Sequence, residues 1–280
     1  MKNPNTIVLI HGLWVTPKSW DQFRRYFEAA GYRVLAPAWP GIRGTPAEMR
    51  RDATGLHGIG IAEVIAHYTK LIRELPEPPI LMGHSYGGLI TQLLIDRGLG
   101  AAGVAIDSVP PKGIYLLPLS TYRALAAALI NPGNYRRTFL FSFRQWWRVF
   151  ANTLPRSEAE KAYEDQVIPA SGRAIVQAAF ANFTPHALST INFANNRRAP
   201  LLLIGGEEDV IMPARLNQKN FRKYRHSSAT TEYRSFPGRS HYIIAEPGWE
   251  EVAEFALDWA ARKAAGAPSA ARPAAQVAHV

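Results

Sequence analysis

Gly83-His84-Ser85-Tyr86-Gly87 directly follows the apolar run Pro79-Ile80-Leu81-Met82. A serine hydroxyl is a weak nucleophile until a neighbouring base takes its proton. G-x-S-x-G between a strand and a helix is the sharp turn that presents such a hydroxyl above a sheet edge, with small residues on either side so that strand and helix can approach closely. The flanks fit that setting. Residues 79–82 predict a short buried strand, and Leu89, Ile90, Leu93 and Leu94 then follow at helical spacing, closed by Gly98.

A serine of this kind needs a base, and the base needs a carboxylate to fix its tautomer and stabilise the imidazolium. Of the eight histidines, His241 is the candidate base, in Gly238-Arg239-Ser240-His241 on the loop after a strand and before the last helix. His84 sits inside the turn and is assigned to supporting it. His57, His67, His186 and His226 fall in loops or helical patterns, His11 belongs to a separate motif, and His279 lies in the tail. Asp209, in Gly205-Gly206-Glu207-Glu208-Asp209 with Pro213 beyond, is the preferred acid; Asp107, also just past a strand, is its rival, and Glu207 and Glu208 adjoin it. Acyl transfer also requires donors aimed at the developing oxyanion. The backbone N–H of Tyr86 supplies one, and the N–H of Leu13 in Ile10-His11-Gly12-Leu13-Trp14 is the candidate second, Gly12 permitting the tight turn.

These residues need a scaffold that brings them together. Strands, mostly apolar, are expected at 7–10, 32–36, 79–82, 103–106, 201–204 and 231–236. Helices are expected at 19–30, with Ser19 and Gln22 spaced as a capping box and Gly31 at the end, at 60–74, after the serine turn, and from about 247 onward. Strands that are mostly apolar throughout and alternate with helices predict an α/β protein with a parallel, doubly wound sheet of about six strands buried on both faces. Ser85, Asp209 and His241 all then fall beyond the carboxyl ends of strands, where open α/β sheets place their sites.

One interval breaks the alternation. The long stretch from 107 to 200 is helical in pattern at 120–130, 134–152, 157–166 and 172–182, and rich in aromatics from Tyr135 to Phe150. It is expected to form a helical cap, 111–195, over a core made of 1–110 and 196–263. Most of its aromatics should pack the cap onto the core, with Trp14, Trp146 and Trp147 as candidate pocket walls. Arg136, Arg137, Arg144 and Arg148 either form a solvated helix face or select a carboxylate-bearing substrate. Residues 264–280 are Ala/Pro-rich and expected to be a flexible tail.

Composition bounds the remaining possibilities. Hydrophobic residues make up 47% of the 280, enough for a globular core, and there is no cysteine, so neither a disulfide nor a thiolate metal site is available. The first residues run straight into a strand pattern with no secretory signal, and no stretch reaches bilayer-spanning length, which predicts a cytoplasmic protein without a membrane span. The net charge is +10, but the basic residues are scattered and accompany no nucleic-acid motif, so a solvated basic surface is expected rather than a nucleic-acid partner. Walker-type, G-x-G-x-x-G and H-E-x-x-H motifs are absent from the sequence, and no metal or organic cofactor is expected.

Taken together, His11-Gly12, Gly83 to Gly87, the loop around Asp209 with Pro213, and Ser240-His241 resemble the α/β-hydrolase superfamily across residues 5–262. The order Ser, Asp, His along the chain is that superfamily's order. The resemblance implies a cofactor-free serine hydrolase, with Ser85, Asp209 and His241 as catalytic triad and Leu13 and Tyr86 amides as oxyanion hole. The antiparallel hairpin that opens many members is missing. The expected substrate is a carboxylic ester, apolar or aryl and of small to medium size. The alternatives are carbon–carbon hydrolysis, lactone opening or haloperoxidase-like perhydrolysis by the same triad, or a non-catalytic small-molecule receptor.

Overall fold

The computed structural model describes residues 4–115 and 118–265. Its centre is a six-stranded sheet built from β1 (Thr6–Ile10), β2 (Arg33–Leu35), β3 (Ile80–His84), β4 (Ala102–Ile106), β7 (Leu201–Gly206) and β8 (Thr231–Phe236), in the order β2-β1-β3-β4-β7-β8. Every neighbouring pair runs parallel. Side chains alternate across a strand, and the two faces divide accordingly. Ile7, Leu9, Ile80, Met82, Val104, Ile106, Leu202 and Ile204 pack with Phe23 and Phe27 of α1 (Asp21–Ala29) and Val252, Ala256 and Trp259 of α10 (Trp249–Ala265). Val8, Ile10, Leu81, Ala105, Leu201 and Leu203 pack with α3 (Ile61–Arg73), α4 (Tyr86–Asp96) and α9 (Ala214–Lys223). Both faces being covered, the four inner strands β1, β3, β4 and β7 are buried throughout, whereas the edge strands β2 and β8 are only partly buried.

Between β4 and β7 the chain forms α5 (Leu119–Leu129), β5 (Thr138–Phe139), α6 (Phe143–Phe150), α7 (Arg156–Gln166), β6 (Ala170–Ser171) and α8 (Gly172–Ala179). Its buried side chains, among them Phe141, Trp146, Phe150 and Ile175, belong to the same apolar cluster as α3 and α4. Backbone ties reinforce the junction: Trp14 Nε1–H donates to Phe139 O at 3.0 Å, Ile168 N–H to Trp14 O at 3.0 Å, and Val15 bridges Val167. Trp14 itself adopts φ 64, a conformation that is rare for a bulky residue and costs about 1–3 kcal/mol, so these ties hold it there.

The single helix expected over 134–152 does not form. Residues 132–136 make a 3-10 turn, Thr138–Phe139 pairs antiparallel with Ala170–Ser171, and α6 starts afresh at Phe143. The restart has a local cause: Ser142 Oγ accepts from Gln145 N–H while Gln145 Oε1 accepts from Ser142 N–H, a capping box inside the aromatic run. The box expected at Ser19 and Gln22 is also replaced. Thr16 caps a 3-10 turn over Pro17–Trp20, and Ser19 Oγ donates to Thr16 O at 2.9 Å. A real box at Thr45 and Glu48 opens α2 (Pro46–Arg51), a helix the apolar spacing did not indicate. α10 continues through Ala265, so the start expected for the tail at Ala264 is still helical; residues 266–280 lie outside the described residues. Among the described residues, no helix is long and apolar enough to cross a membrane.

Phe23 is fully buried on the face opposite the insertion, whereas Ile130 is 80% exposed. Phe23→Ala should therefore destabilise the protein by about 3–5 kcal/mol in urea unfolding, and Ile130→Ala by no more than about 0.5 kcal/mol.

Candidate active site

Ser85 occupies the turn between β3 and α4 with φ 58 and ψ −118, a left-handed region that a serine enters only under constraint. The constraint comes from close packing. A Cβ on Gly83 would fall 2.1 Å from Gly87 O, and one on Gly87 would fall 2.0 Å from Ile10 O. A Cβ on Gly12 would lie 2.8 Å from Ser85 Cβ and 3.3 Å from Ser85 Oγ, so the loop after β1 rests directly on the serine. Ser85 N–H donates to Ile106 O at 2.8 Å, and Ser85 O accepts from Val109 N–H at 3.0 Å, tying the turn to the end of β4 as well.

His241 Nε2 faces Ser85 Oγ at 2.9 Å, and its Nδ1 faces Asp209 Oδ2 at 2.6 Å. Asp209 accepts on Oδ2, so Nδ1 carries the proton and Nε2 presents its lone pair to the serine. The other carboxylate oxygen is held by Ile211 N–H at 2.8 Å and Met212 N–H at 2.7 Å. All three side chains are nearly buried, Ser85 being 5% exposed, Asp209 3% and His241 0%. The Phe150 ring stands perpendicular to the His241 imidazole, centroids 4.4 Å apart.

The two other histidines nearby are engaged differently. His84 Nε2–H donates to His241 O at 2.8 Å, and burial, reinforced by the nearby His241, holds its pKa well below the usual value. His11 Nδ1–H donates to Gly12 O at 2.9 Å, its Nε2 accepts from Trp39 N–H at 3.2 Å, and burial lowers its pKa to about 4. Both stay neutral near neutral pH, and both fix backbone. Asp107, the rival acid, is fully buried with φ 43. Its Oδ1 accepts from Gly206 N–H at 2.7 Å, while its Oδ2 has no partner. Burial first, then the nearby Asp209 charge, pushes its pKa well above the ordinary carboxylate value. The two acids therefore differ in kind: Asp209 meets the imidazole and two amides, whereas Asp107 meets one amide and is favoured in its protonated form by burial.

His84, Asp107 and His241 each have a potential ligand atom within 4.8 Å of the others'. Their hydrogen bonds already occupy His84 Nε2 and both His241 nitrogens, leaving His84 Nδ1 and Asp107 Oδ2 without partners.

Among the described residues, neither Leu13 N–H nor Tyr86 N–H donates a hydrogen bond, and Tyr86 opens α4, whose first-turn amides point outward. Trp14 lies against Phe141 and Phe150 and so packs the insertion onto the loop after β1. Trp146 is fully buried among Phe150, Tyr163 and Tyr242. Trp147 stacks on Phe143 and donates to Leu154 O at 3.0 Å. Arg136, Arg137, Arg144 and Arg148 are all exposed. Sequence reasoning did not single out Phe150 as a contact of His241; no spacing rule marks one aromatic of a dense run as the one that meets a loop a hundred residues away.

Residues 7–255 match the family model described as the alpha/beta hydrolase family, and the chain belongs to that family. A pimeloyl-[acyl-carrier protein] methyl ester esterase from Aromatoleum aromaticum is 37% identical over 97 residues, which are 35% of this chain. The matched part spans about a third (33%) of that relative's length. Among solved structures, the monoacylglycerol lipase of Paleococcus ferrophilus superposes with TM-score 0.65 at 21% identity, covering 94% of this chain and 97% of the other. A pyrethroid hydrolase from Sphingobium faniae JZ-2 gives TM-score 0.65 at 22% identity, covering 91% and 97%. At these identities the likeness is one of fold.

Asp107 yields a pH-dependent prediction. With a folded pKa raised above the unfolded value of about 3.8, its contribution to stability is complete below that value and is lost as pH rises through the folded pKa. Asp107→Asn, which mimics the protonated acid, should flatten the fall of Tm as the pH is raised above about 3.8 and leave kcat within about threefold of the unchanged protein. A Tm-against-pH series on the two proteins checks this.

Proposed function

We propose that the protein is a cofactor-free serine hydrolase acting on carboxylic esters. The reading rests on one observation above all, the continuous line from Asp209 Oδ2 through His241 to Ser85 Oγ with steps of 2.6 and 2.9 Å. Ser85 Oγ attacks the ester carbonyl while its proton passes to His241 Nε2. Asp209 stabilises the imidazolium so formed. The carbonyl oxygen becomes an oxyanion, for which the Leu13 and Tyr86 N–H groups are the free donors in reach of the serine turn. When the tetrahedral species collapses, the C–O bond to the alcohol breaks and Nε2 returns the proton to the leaving oxygen. Water then repeats the sequence on the acyl-enzyme, and the acid departs with Ser85 restored.

Apolar or aryl esters of small to medium size suit the surroundings. Phe150, Trp14 and Phe141 form a contiguous aromatic group that reaches His241, and Arg136, Arg137, Arg144 and Arg148 are exposed. The relatives include a methyl ester esterase, a monoacylglycerol lipase and a pyrethroid hydrolase. Ester hydrolysis is accordingly preferred over carbon–carbon or peracid chemistry, and a small-molecule ester is the partner.

A series of nitrophenyl esters of increasing acyl length tests the reading. The protein should turn over at least the short members, with Ser85→Ala lowering kcat by about 10⁴-fold or more and Asp209→Asn by about 10³- to 10⁴-fold. Near-full activity in Ser85→Ala would contradict it.

A further inference from the structure

His241 sits on a stretch with no regular structure to hold it, between the end of β8 and the start of α10. Glu246, only 2% exposed, takes over that task. Its Oε1 accepts from Ser240 N–H at 2.8 Å, and its Oε2 accepts from Ser240 Oγ at 2.8 Å. Ser240 Oγ in turn accepts from Tyr242 N–H at 3.2 Å, so the residues on both sides of His241 answer to one carboxylate. Oε2 also takes a hydrogen bond from Thr153 Oγ1, which comes from the insertion, just past α6.

The same turn of the insertion touches the other half of the relay. Asn152 Nδ2 donates to Glu208 O at 3.1 Å, the peptide preceding Asp209, and Glu208 N–H donates to Arg239 O at 2.9 Å. Phe150, three residues before Thr153, lies against the His241 ring. Residues 150–153 thus meet the acid loop, the histidine loop and the imidazole itself.

We propose that Glu246 is the positioning residue of the general base, and that Thr153 and Asn152 make the insertion part of the catalytic framework rather than a cover alone. The inference rests on the hydrolase reading above. Glu246 touches neither the substrate nor a reacting atom; it acts through Ser240. Its effect is geometric: the Nε2–Oγ distance depends on where the 240–242 backbone lies, and a displacement near 1 Å lowers turnover by about 10²-fold. A group that positions the base lowers kcat and leaves KM alone, whereas one that merely shapes a pocket raises KM.

The experiment compares Glu246→Ala, Glu246→Gln, Thr153→Val and Thr153→Ser with the unchanged protein. It measures kcat and KM for nitrophenyl acetate, the rate of labelling by a fluorophosphonate, and Tm. Glu246→Ala should lose about 10²-fold in kcat and in labelling rate, with KM within about threefold. Thr153→Val should lose about tenfold, being the loss of one hydrogen bond to a carboxylate. Thr153→Ser, which keeps the hydroxyl, and Glu246→Gln, which keeps an acceptor for Ser240 N–H, should each restore most of the loss. If Glu246→Ala does not fold, Thr153→Val against Thr153→Ser decides the matter. Folded Thr153→Val, and Glu246→Ala where it folds, with unchanged kcat and labelling, or with changes in KM alone, would overturn the proposal while Ser85 still labels in the unchanged protein. Absence of labelling in the unchanged protein overturns the hydrolase reading and the proposal with it.

Discussion

The left-handed backbone of Ser85 is the constraint on which the rest of the site depends. A serine relaxes out of φ 58 unless its surroundings forbid it, and here three glycines do so by lying too close for any side chain. Gly83 and Gly87 let β3, α4 and the end of β1 pack at backbone contact. Gly12 sets the loop after β1 against the serine. The same contacts that strain the turn set the loop carrying Leu13 and the start of α4 at Tyr86 next to the serine.

The charge balance of the site follows from burial. Besides His241, four buried ionisable groups lie in and around the site, and burial sorts them. Burial favours the neutral forms of His84 and His11, which serve as backbone ties, and the protonated form of Asp107. Asp209 differs because two amides and the imidazole N–H compensate its carboxylate.

The central elements were legible in the sequence for identifiable reasons. Strands such as Ile7 to Ile10 and Leu201 to Ile204 are apolar on both faces because helices cover both faces, and that signal survives without tertiary knowledge. The serine turn was legible because its glycines are demanded by contact at fixed spacing. The insertion was less so. Its aromatics gave a continuous helical pattern over 134–152, but Ser142 and Gln145 cap a new helix there and Thr138–Phe139 finds a strand partner thirty residues on. Long-range pairing of that kind leaves no local trace. Glu246 illustrates the same limit: an acidic residue before a helix has an ordinary surface explanation, and only the fold brings Ser240 and Thr153 onto its two oxygens.

The central claim is that packing and one buried carboxylate make a single serine hydroxyl reactive. Treating the protein with a fluorophosphonate and mapping the adduct by peptide mass spectrometry tests it most directly. The account predicts one adduct per chain, on the peptide carrying Ser85, and none when His241 is replaced by alanine. An adduct on another residue, or a Ser85 adduct formed equally fast without His241, would contradict it.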